Sequence, residues 1–398
     1  MPLQADPLHS LRCKLQKSVE SASVNPFHGL PVWARETFQP KHAPIVCCGT
    51  GHWAGAFLHY AAGLEMLAVV DDAHAGATIL GHPCLDTAGL IALARQRPEI
   101  VCVNTGQSDA GFSHFERVGA QHGLKMLNYL QAVRAFQTNP DIRVADWKDQ
   151  IIARIDQYLA LEPLLADALS VETLYSFLLY HLDTEREVLL GANRPGDATY
   201  FRSGLFGLGE HEVYVDCGSY DGDSVQRFIQ VAKGRFRSVH AFEPDPSNFR
   251  RMQEWLGRQS AFAYAERVTL HQNAVGRAAG LIRFNETGGE GACVPITTDA
   301  KAQLGTPDGI AVEVVSLDTA VNEPISLMKL DVEGHEIEIL RGAERHLQES
   351  KPKLAICAYH LPTDLIELPK FLQNLDAGYR LGLRHHSNSR YDTVLYAF

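Results

Sequence analysis

The chain has 398 residues, 45% of them hydrophobic and 21% charged, with a formal net charge of -11. That length and balance suit a globular protein with two cores rather than one. An acidic surface repels nucleic acid and anionic membranes, so neither is an expected partner. Residues 1–20 lack the apolar core of a secretion signal, and no run reaches the ~18 apolar residues of a membrane span. The eight cysteines, Cys13, Cys47, Cys48, Cys84, Cys102, Cys217, Cys293 and Cys357, form no C-x-x-C pair, and several sit in apolar runs as small buried hydrophobes do. A cytoplasmic, reducing location is the expectation.

After an N-terminal extension over 1–40, residues 43–48 (APIVCC) read as a strand and 49–55 as a tight turn. Residues 56–62 read as the following helix, and 67–70 as a second strand that ends at Asp71 and Asp72. Gly49, Gly51 and Ala54 fit G-x-G-x-x-A, with the acids about 20 residues on, as a dinucleotide site requires. The same turn also occurs in domains that hold no ligand there, and His52 and Trp53 put bulk where a pyrophosphate would approach. Residues 41–140 are therefore expected to form a Rossmann-like domain whose ligand stays open, with further strands at 100–103 and 125–127. The stretch 76–86 has the look of a small extension found in sensor or nucleotide-sugar domains, by analogy of fold alone.

Ile151, Ile152, Ile155 and Leu159, then Leu174, Phe177, Leu178 and Leu182, recur at helical spacing. Residues 141–197 are predicted to be a helical connector, punctuated by the Asn193-Arg-Pro-Gly-Asp197 cluster. Beyond it, over 198–398, apolar runs repeatedly stop at polar residues. The first, from Val213, reaches Asp216, Gly218, Ser219, Tyr220, Asp221 and Gly222. Acids at such a bend disfavour a pyrophosphate and suit S-adenosylmethionine, whose ammonium and ribose hydroxyls carboxylates can bind. A second run ends at Glu243, where a doubly wound fold places its ribose-binding acid. A third, from Val268, leads to Asn273 and Ala274, a polar end suited to an adenine edge. A fourth, 325–330, ends at Asp331 and Glu333.

The motifs VYVDCGSYDGDS, AFEPDP, NAVG, KLDVEGHEIEILRGAE and CAYHLPTDLIELP, in that order, resemble the FkbM family of S-adenosylmethionine-dependent O-methyltransferases over residues ~198–398. The resemblance implies a class I methyltransferase sheet and methylation of a hydroxyl on a sugar or sugar-bearing product. The fold class expected is thus α/β: two Rossmann-like domains, the C-terminal one a methyltransferase sheet, joined by a helical connector.

Methyl transfer to oxygen needs in-line alignment and a group to take the hydroxyl proton. His360 follows an apolar strand at 354–359, and an ordinary imidazole pKa of about 6.5 would suit a general base. Asp331 is expected to contact cofactor or acceptor, and Glu333 to join them as a catalytic residue. Glu336 could equally serve the dipole of the helix it opens, and His335 could face solvent. Asp331, Glu333, His335 and His360 could together hold a hard metal ion, but nothing in their spacing demands one, so no metal is expected. The C-terminal runs at 383–387 and 390–397 read as a closing hairpin. The partners expected are a small-molecule or glycan acceptor, with self-association left open. Two alternatives remain: a non-catalytic module that binds a nucleotide-sugar or a partner, and a bifunctional protein whose N-terminal domain binds NAD(P).

Overall fold

Short apolar runs rich in Val, Ile, Leu and Cys build two parallel-rich sheets in the computed structural model of the chain, a mixed α/β architecture. The structure describes residues 7–37, 43–61, 63–106, 108–138, 141–194, 196–284, 310–375 and 377–398; Cys293 lies outside them. The described residues divide into two units. Unit 1 draws on 1–155, 175–191 and 388–390, and unit 2 on 156–174, 192–387 and 391–398.

In unit 1 the strands are β1 (Ile45–Cys48), β2 (Met66–Val70), β3 (Thr78–Ile79), β4 (His82–Leu85), β5 (Val101–Asn104) and β6 (Met126–Asn128). Their order is β3-β4-β2-β1-β5-β6, and every neighbouring pair is parallel except β3 with β4. All residues of β1 and β5 are buried, which is why they read as continuous apolar runs rather than as alternation. Val46, Cys48 and Cys102 pack with Leu90 of the helix Thr87–Gln96 and with Phe115 and Val118 of the helix Asp109–His122. Side-chain caps start these helices, Asp86 accepting from the Gly89 N–H and Ser108 from the Gly111 N–H. The helix after β1 begins at His52, four residues ahead of expectation. The turn is only Gly49 to Gly51, with Gly49 at φ +123°, a left-handed conformation glycine tolerates. The helical spacing at Leu174, Phe177, Leu178 and Leu182 is realised in the helix Ala168–Asp183.

Unit 2 contains β7 (Val213–Cys217), β8 (Ser238–Phe242), β9 (Val268–His271), β10 (Ala274–Val275), β11 (Gly280–Phe284), β12 (Ile310–Val315), β13 (Leu327–Leu330), β14 (Lys353–Cys357), β15 (Leu381–His385) and β16 (Thr393–Ala397). Seven of them form a sheet in the order β15-β16-β14-β13-β7-β8-β9. It is parallel except for β16, which runs antiparallel to both β14 and β15 as the expected closing hairpin. Three boundaries need correction. The polar end expected after the third strand contains a strand of its own, because Ala274 and Val275 pair with Val314 and Val315 of β12 in a separate three-stranded sheet. The fourth strand begins at Leu327, and the strand before His360 stops at Cys357, leaving Tyr359 and His360 in the following loop. Tyr214, Phe228, Phe236, Met252 and Trp255 form the core between this sheet and the helices Asp223–Val231 and Pro246–Arg258.

Among the described residues all seven cysteines are free, six of them buried, and no helix is long and apolar enough to cross a membrane.

One buried cation anchors unit 1. Arg134 holds Asp146 with two parallel bonds of 2.8 Å and donates to the carbonyls of His181 and Leu182 at 2.7 Å each. Arg134→Met leaves that largely buried carboxylate without its cation and those carbonyls without this donor, so we expect a loss of about 3–5 kcal/mol. Urea denaturation of the full chain measures it, and a midpoint equal to wild type would show the network to be dispensable.

Candidate active site

β7 and β13 are parallel neighbours, and their register puts Lys329 directly beside Asp216. Both are buried, at 3% and 0% exposure. The Lys329 ammonium lies 3.2 Å from Asp216 Oδ1, donates to the Gly218 carbonyl at 2.6 Å and stands 3.8 Å from Asp331 Oδ2. Burial works to lower the lysine's pKa, but the charges of Asp216 and Asp331 outweigh it and hold the ammonium protonated. Asp216 is pushed upward by its own burial, with Lys329 and the Ser224 hydroxyl, 2.5 Å from its Oδ2, acting against that.

The loop after β7 is tight because it has to be. A Cβ on Gly218, at φ +79°, would lie 1.9 Å from the Asp331 carbonyl oxygen, so the ends of β7 and β13 touch through bare backbone. Ser219 donates to the Asp216 carbonyl at 3.1 Å. Tyr220 adopts φ +50°, a left-handed conformation uncommon outside glycine, and its N–H donates to Glu243 Oε2 at 2.9 Å. Gly222, at φ +90°, opens the next helix, and a buried oxygen of Asp221 has no hydrogen-bond partner among the described protein atoms. Glu243 also accepts from the Asp245 N–H at 2.9 Å. Burial pushes its carboxyl up to about 7, only partly offset by the N–H groups of Asp245 and Tyr220. Its own backbone N–H bonds the His271 carbonyl, tying the ends of β8 and β9 together. Asn273 lies just beyond β9, and Ala274 belongs to β10 of the small sheet.

Asp331 is the most exposed member of this network, with a quarter of its side chain accessible. The hydroxyls of Tyr200 and Tyr359 donate to its two oxygens at 3.1 Å each. Burial acts to raise its pKa, yet Lys329 and then His360 bring it below the usual carboxylate range. His360 Nε2 is 3.5 Å from Asp331 Oδ1, while Nδ1 meets Glu336 Oε1 at 2.8 Å. The ordinary imidazole pKa expected for His360 is therefore not what the fold provides. Burial would lower it, but the charge and hydrogen bond of Glu336, then the charges of Glu333 and Asp331, push it up to about 10. His360 is an imidazolium at neutral pH.

Glu336 does more than serve a helix dipole. Buried at 1% exposure, it accepts from the Val332 N–H at 3.0 Å and the Gly334 N–H at 3.4 Å, closing the turn that carries Glu333 at φ +57°. Asp364 accepts the N–H groups of His360 and Leu361 at 3.0 and 2.8 Å, and its carboxyl is pushed upward by burial and by Glu336. Glu336, His360 and Asp364 present ligand-type atoms within 4.8 Å of one another, a set other than the Asp331, Glu333, His335 and His360 weighed for a metal. His360 and Glu336 meet in one short contact, and backbone N–H groups already occupy one oxygen of each acid.

Of the residues expected at the site, Asp216, Gly218, Asp331 and His360 are joined through Lys329 and Asp331, and Tyr220 and Glu243 through one hydrogen bond. Sequence reasoning did not single out Lys329, Ser224, Tyr200, Tyr359 or Asp364. For Lys329 a signal existed: a lysine inside an apolar strand requires a buried acid partner.

The family model described as Methyltransferase FkbM domain matches residues 216–381. The crystal structure of Methyltransferase FkbM from Methylobacillus flagellatus KT is 32% identical, with 98% of this chain and 100% of that chain covered and a TM-score of 0.84. The hexuronic acid methyltransferase AglP of Haloferax volcanii is 27% identical over 139 residues, 34% of this chain and 52% of that protein. The chain thus spans about half the length of the curated relative it matches.

Replacing Glu336 by Gln removes the charge that holds the His360 proton. We expect the His360 ring to titrate well below its wild-type value of about 10, followed by NMR of the imidazole protons. Because that value lies above the ordinary 6.5, the stabilisation is complete below about pH 6.5 and is lost as pH rises through about 10. Identical titration in both proteins would remove Glu336 as the cause.

Proposed function

The chain belongs to the FkbM methyltransferase family, and from that premise we propose that it moves the methyl group of S-adenosylmethionine onto a hydroxyl of a sugar, a glycan or a glycosylated small molecule. The observation that carries the acceptor class is Asp331: an ionised, part-exposed carboxylate with two tyrosine hydroxyls on it and two cations behind it. Such a cluster suits an acceptor that presents hydroxyls. The likeness to a protein named as a hexuronic acid methyltransferase supports the same class.

S-adenosylmethionine is the cofactor, and the residues present fit it. Asp221 has a buried oxygen with no protein hydrogen-bond partner, a free acceptor for the ammonium or a ribose hydroxyl of the cofactor. In this reading residues 216–222 and Glu243 receive the ammonium and ribose, and Asn273 and Ala274 lie against the adenine. When bound, the cofactor supplies a methyl group on a sulfonium that is already activated for in-line displacement.

The chain's own residues then align and deprotonate the acceptor. Asp331 accepts the hydrogen bond of the acceptor hydroxyl and receives its proton as the new bond forms. With its pKa held low it is a weak base, so alignment contributes more than basicity. His360, already protonated, keeps Asp331 ionised rather than acting as the base itself. Glu333, whose charge acts on His360, completes the set as a positioning residue.

We also propose the domain division read from the sequence: a Rossmann-like domain over 41–140, a connector over 141–197 and a methyltransferase domain over 198–398. The parallel order β4-β2-β1-β5-β6 supports the first of these. It does not favour NAD(P) there: Thr50 donates to Asp71 at 2.6 Å, and Trp53 is buried edge-on against Tyr129 at 4.1 Å. The free cysteines support a reducing, cytoplasmic compartment, and the net charge of -11 supports an acceptor other than nucleic acid.

Labelled S-adenosylmethionine offered with a panel of sugars, uronic acids and glycosides should yield methyl ethers on sugar hydroxyls. Asp331→Asn should lower kcat about 10²- to 10⁴-fold. Label found only on non-carbohydrate acceptors overturns the acceptor class. In calorimetry, Glu243→Ala should weaken cofactor binding by about 1.5–3 kcal/mol. With the Glu243 carboxyl pushed up to about 7, wild-type affinity should rise between about pH 6 and 8 as it ionises. Unchanged affinity in the variant takes Glu243 out of the site.

A further inference from the structure

Unit 1 contains a cavity of about 50 Å³ that plays no part in the reaction above. It lies where β5 and β6 end, lined by Asn104, Thr105 and Asn128 together with Trp53, Tyr129 and Arg390. Parallel α/β sheets bind ligands at that end of their strands. Most polar side chains around it are already engaged. Asn104 donates to the Phe112 carbonyl at 3.0 Å, Asn128 to the Thr184 carbonyl at 3.0 Å and Thr105 to the Cys48 carbonyl at 3.0 Å.

Two groups are not engaged in this way. The hydroxyl of Tyr129, and Nε and Nη2 of Arg390, are buried and have no hydrogen-bond partner among the described protein atoms. Both residues are more than nine-tenths buried, at 6% and 2% exposure. Arg390 lies over the Trp147 ring at 4.5 Å and gives only Nη1 to a carbonyl, that of Ala145, at 3.3 Å. Among the described residues no carboxylate pairs with it. Burial raises the Tyr129 pKa and the Arg390 charge acts against that, so the two groups are within electrostatic reach of each other.

A buried guanidinium without an anion is costly. Its Nε–H and Nη2–H point the same way from a planar fork, spaced to meet both oxygens of a carboxylate. A water needs only about 10–15 Å³ and a whole drug-sized ligand about 300 Å³ or more, so the cavity suits a small charged group. We propose that this cavity is a second ligand site, which takes the carboxylate of a small organic acid on the Nε–Nη2 edge of Arg390, with the Tyr129 hydroxyl as a third donor.

The test uses the full chain, with glycolate as the probe and inorganic phosphate and chloride as comparators at matched ionic strength. Glycolate should bind saturably and change tryptophan fluorescence, since Trp53 lines the cavity. Arg390→Lys keeps the charge but loses the fork, and Tyr129→Phe loses the third donor; each should weaken binding about tenfold or more. Tyr129→Phe should leave the unliganded melting temperature unchanged or higher, because it removes a hydroxyl that has no protein partner. It therefore decides the matter even where Arg390→Lys fails to fold. No saturable glycolate binding, or equal binding in Tyr129→Phe, overturns the site. Tighter binding of phosphate than of glycolate overturns the carboxylate assignment.

Discussion

A lysine ammonium buried in the middle of a sheet is the constraint on which the site depends. Lys329 stands in β13 between Met328 and Leu330, both fully buried, where an unpaired charge could not be tolerated. It donates to the Gly218 carbonyl and lies within ion-pair distance of Asp216 and Asp331, so a single cation joins the ends of β7 and β13. Replacing such a pair with apolar residues need not destabilise a protein, whereas removing one partner strands the other. The pair is thus better understood as fixing one geometry than as a source of net stability.

From Lys329 the charges alternate outward. Asp216, Lys329, Asp331, His360 and Glu336 are negative, positive, negative, positive and negative, and each step is 3.8 Å or less. Every interior member has a neighbour of opposite sign on each side, which explains how Asp331 stays ionised despite burial. Glu243 shows the contrasting case. It is more enclosed than Asp331 and has only neutral donors and the nearby Asp245 charge, and its carboxyl is pushed up to about 7. Two carboxylates at the carboxyl end of one sheet are thereby set to different protonation behaviour by the presence or absence of a cation.

Much of this was legible in the letters. Apolar runs that stop at Asp216, Glu243 and Asp331 gave the strand ends and their acids in order, because a strand buried on both faces leaves its polar residues at its tips. What could not be read was whatever depends on a distant partner. That Ala274 and Val275 form a strand of their own depends on pairing with β12, about 40 residues on. The protonation of His360 depends on Glu336, 24 residues earlier, folding back over it. At Gly49 the fingerprint was legible, but Thr50, inside it, occupies the acid that the fingerprint would reserve for a ribose.

The loops that carry the acids are strained, and the strain is held by those acids. Tyr220 and Glu333 both adopt left-handed backbone conformations, at φ +50° and +57°, and such residues cost of order 1–3 kcal/mol unless their surroundings enforce them. The enforcing groups are carboxylates: Glu243 grips the Tyr220 N–H, and Glu336 grips the Val332 and Gly334 N–H groups on either side of Glu333. Gly218 is fixed in turn by the Lys329 bond to its carbonyl. Backbone amides that would otherwise seek water are satisfied inside the protein, so both loops are set before any ligand arrives. A site whose rate depends on alignment more than on a strong base gains most from that arrangement, because little reorganisation remains when the reactants bind.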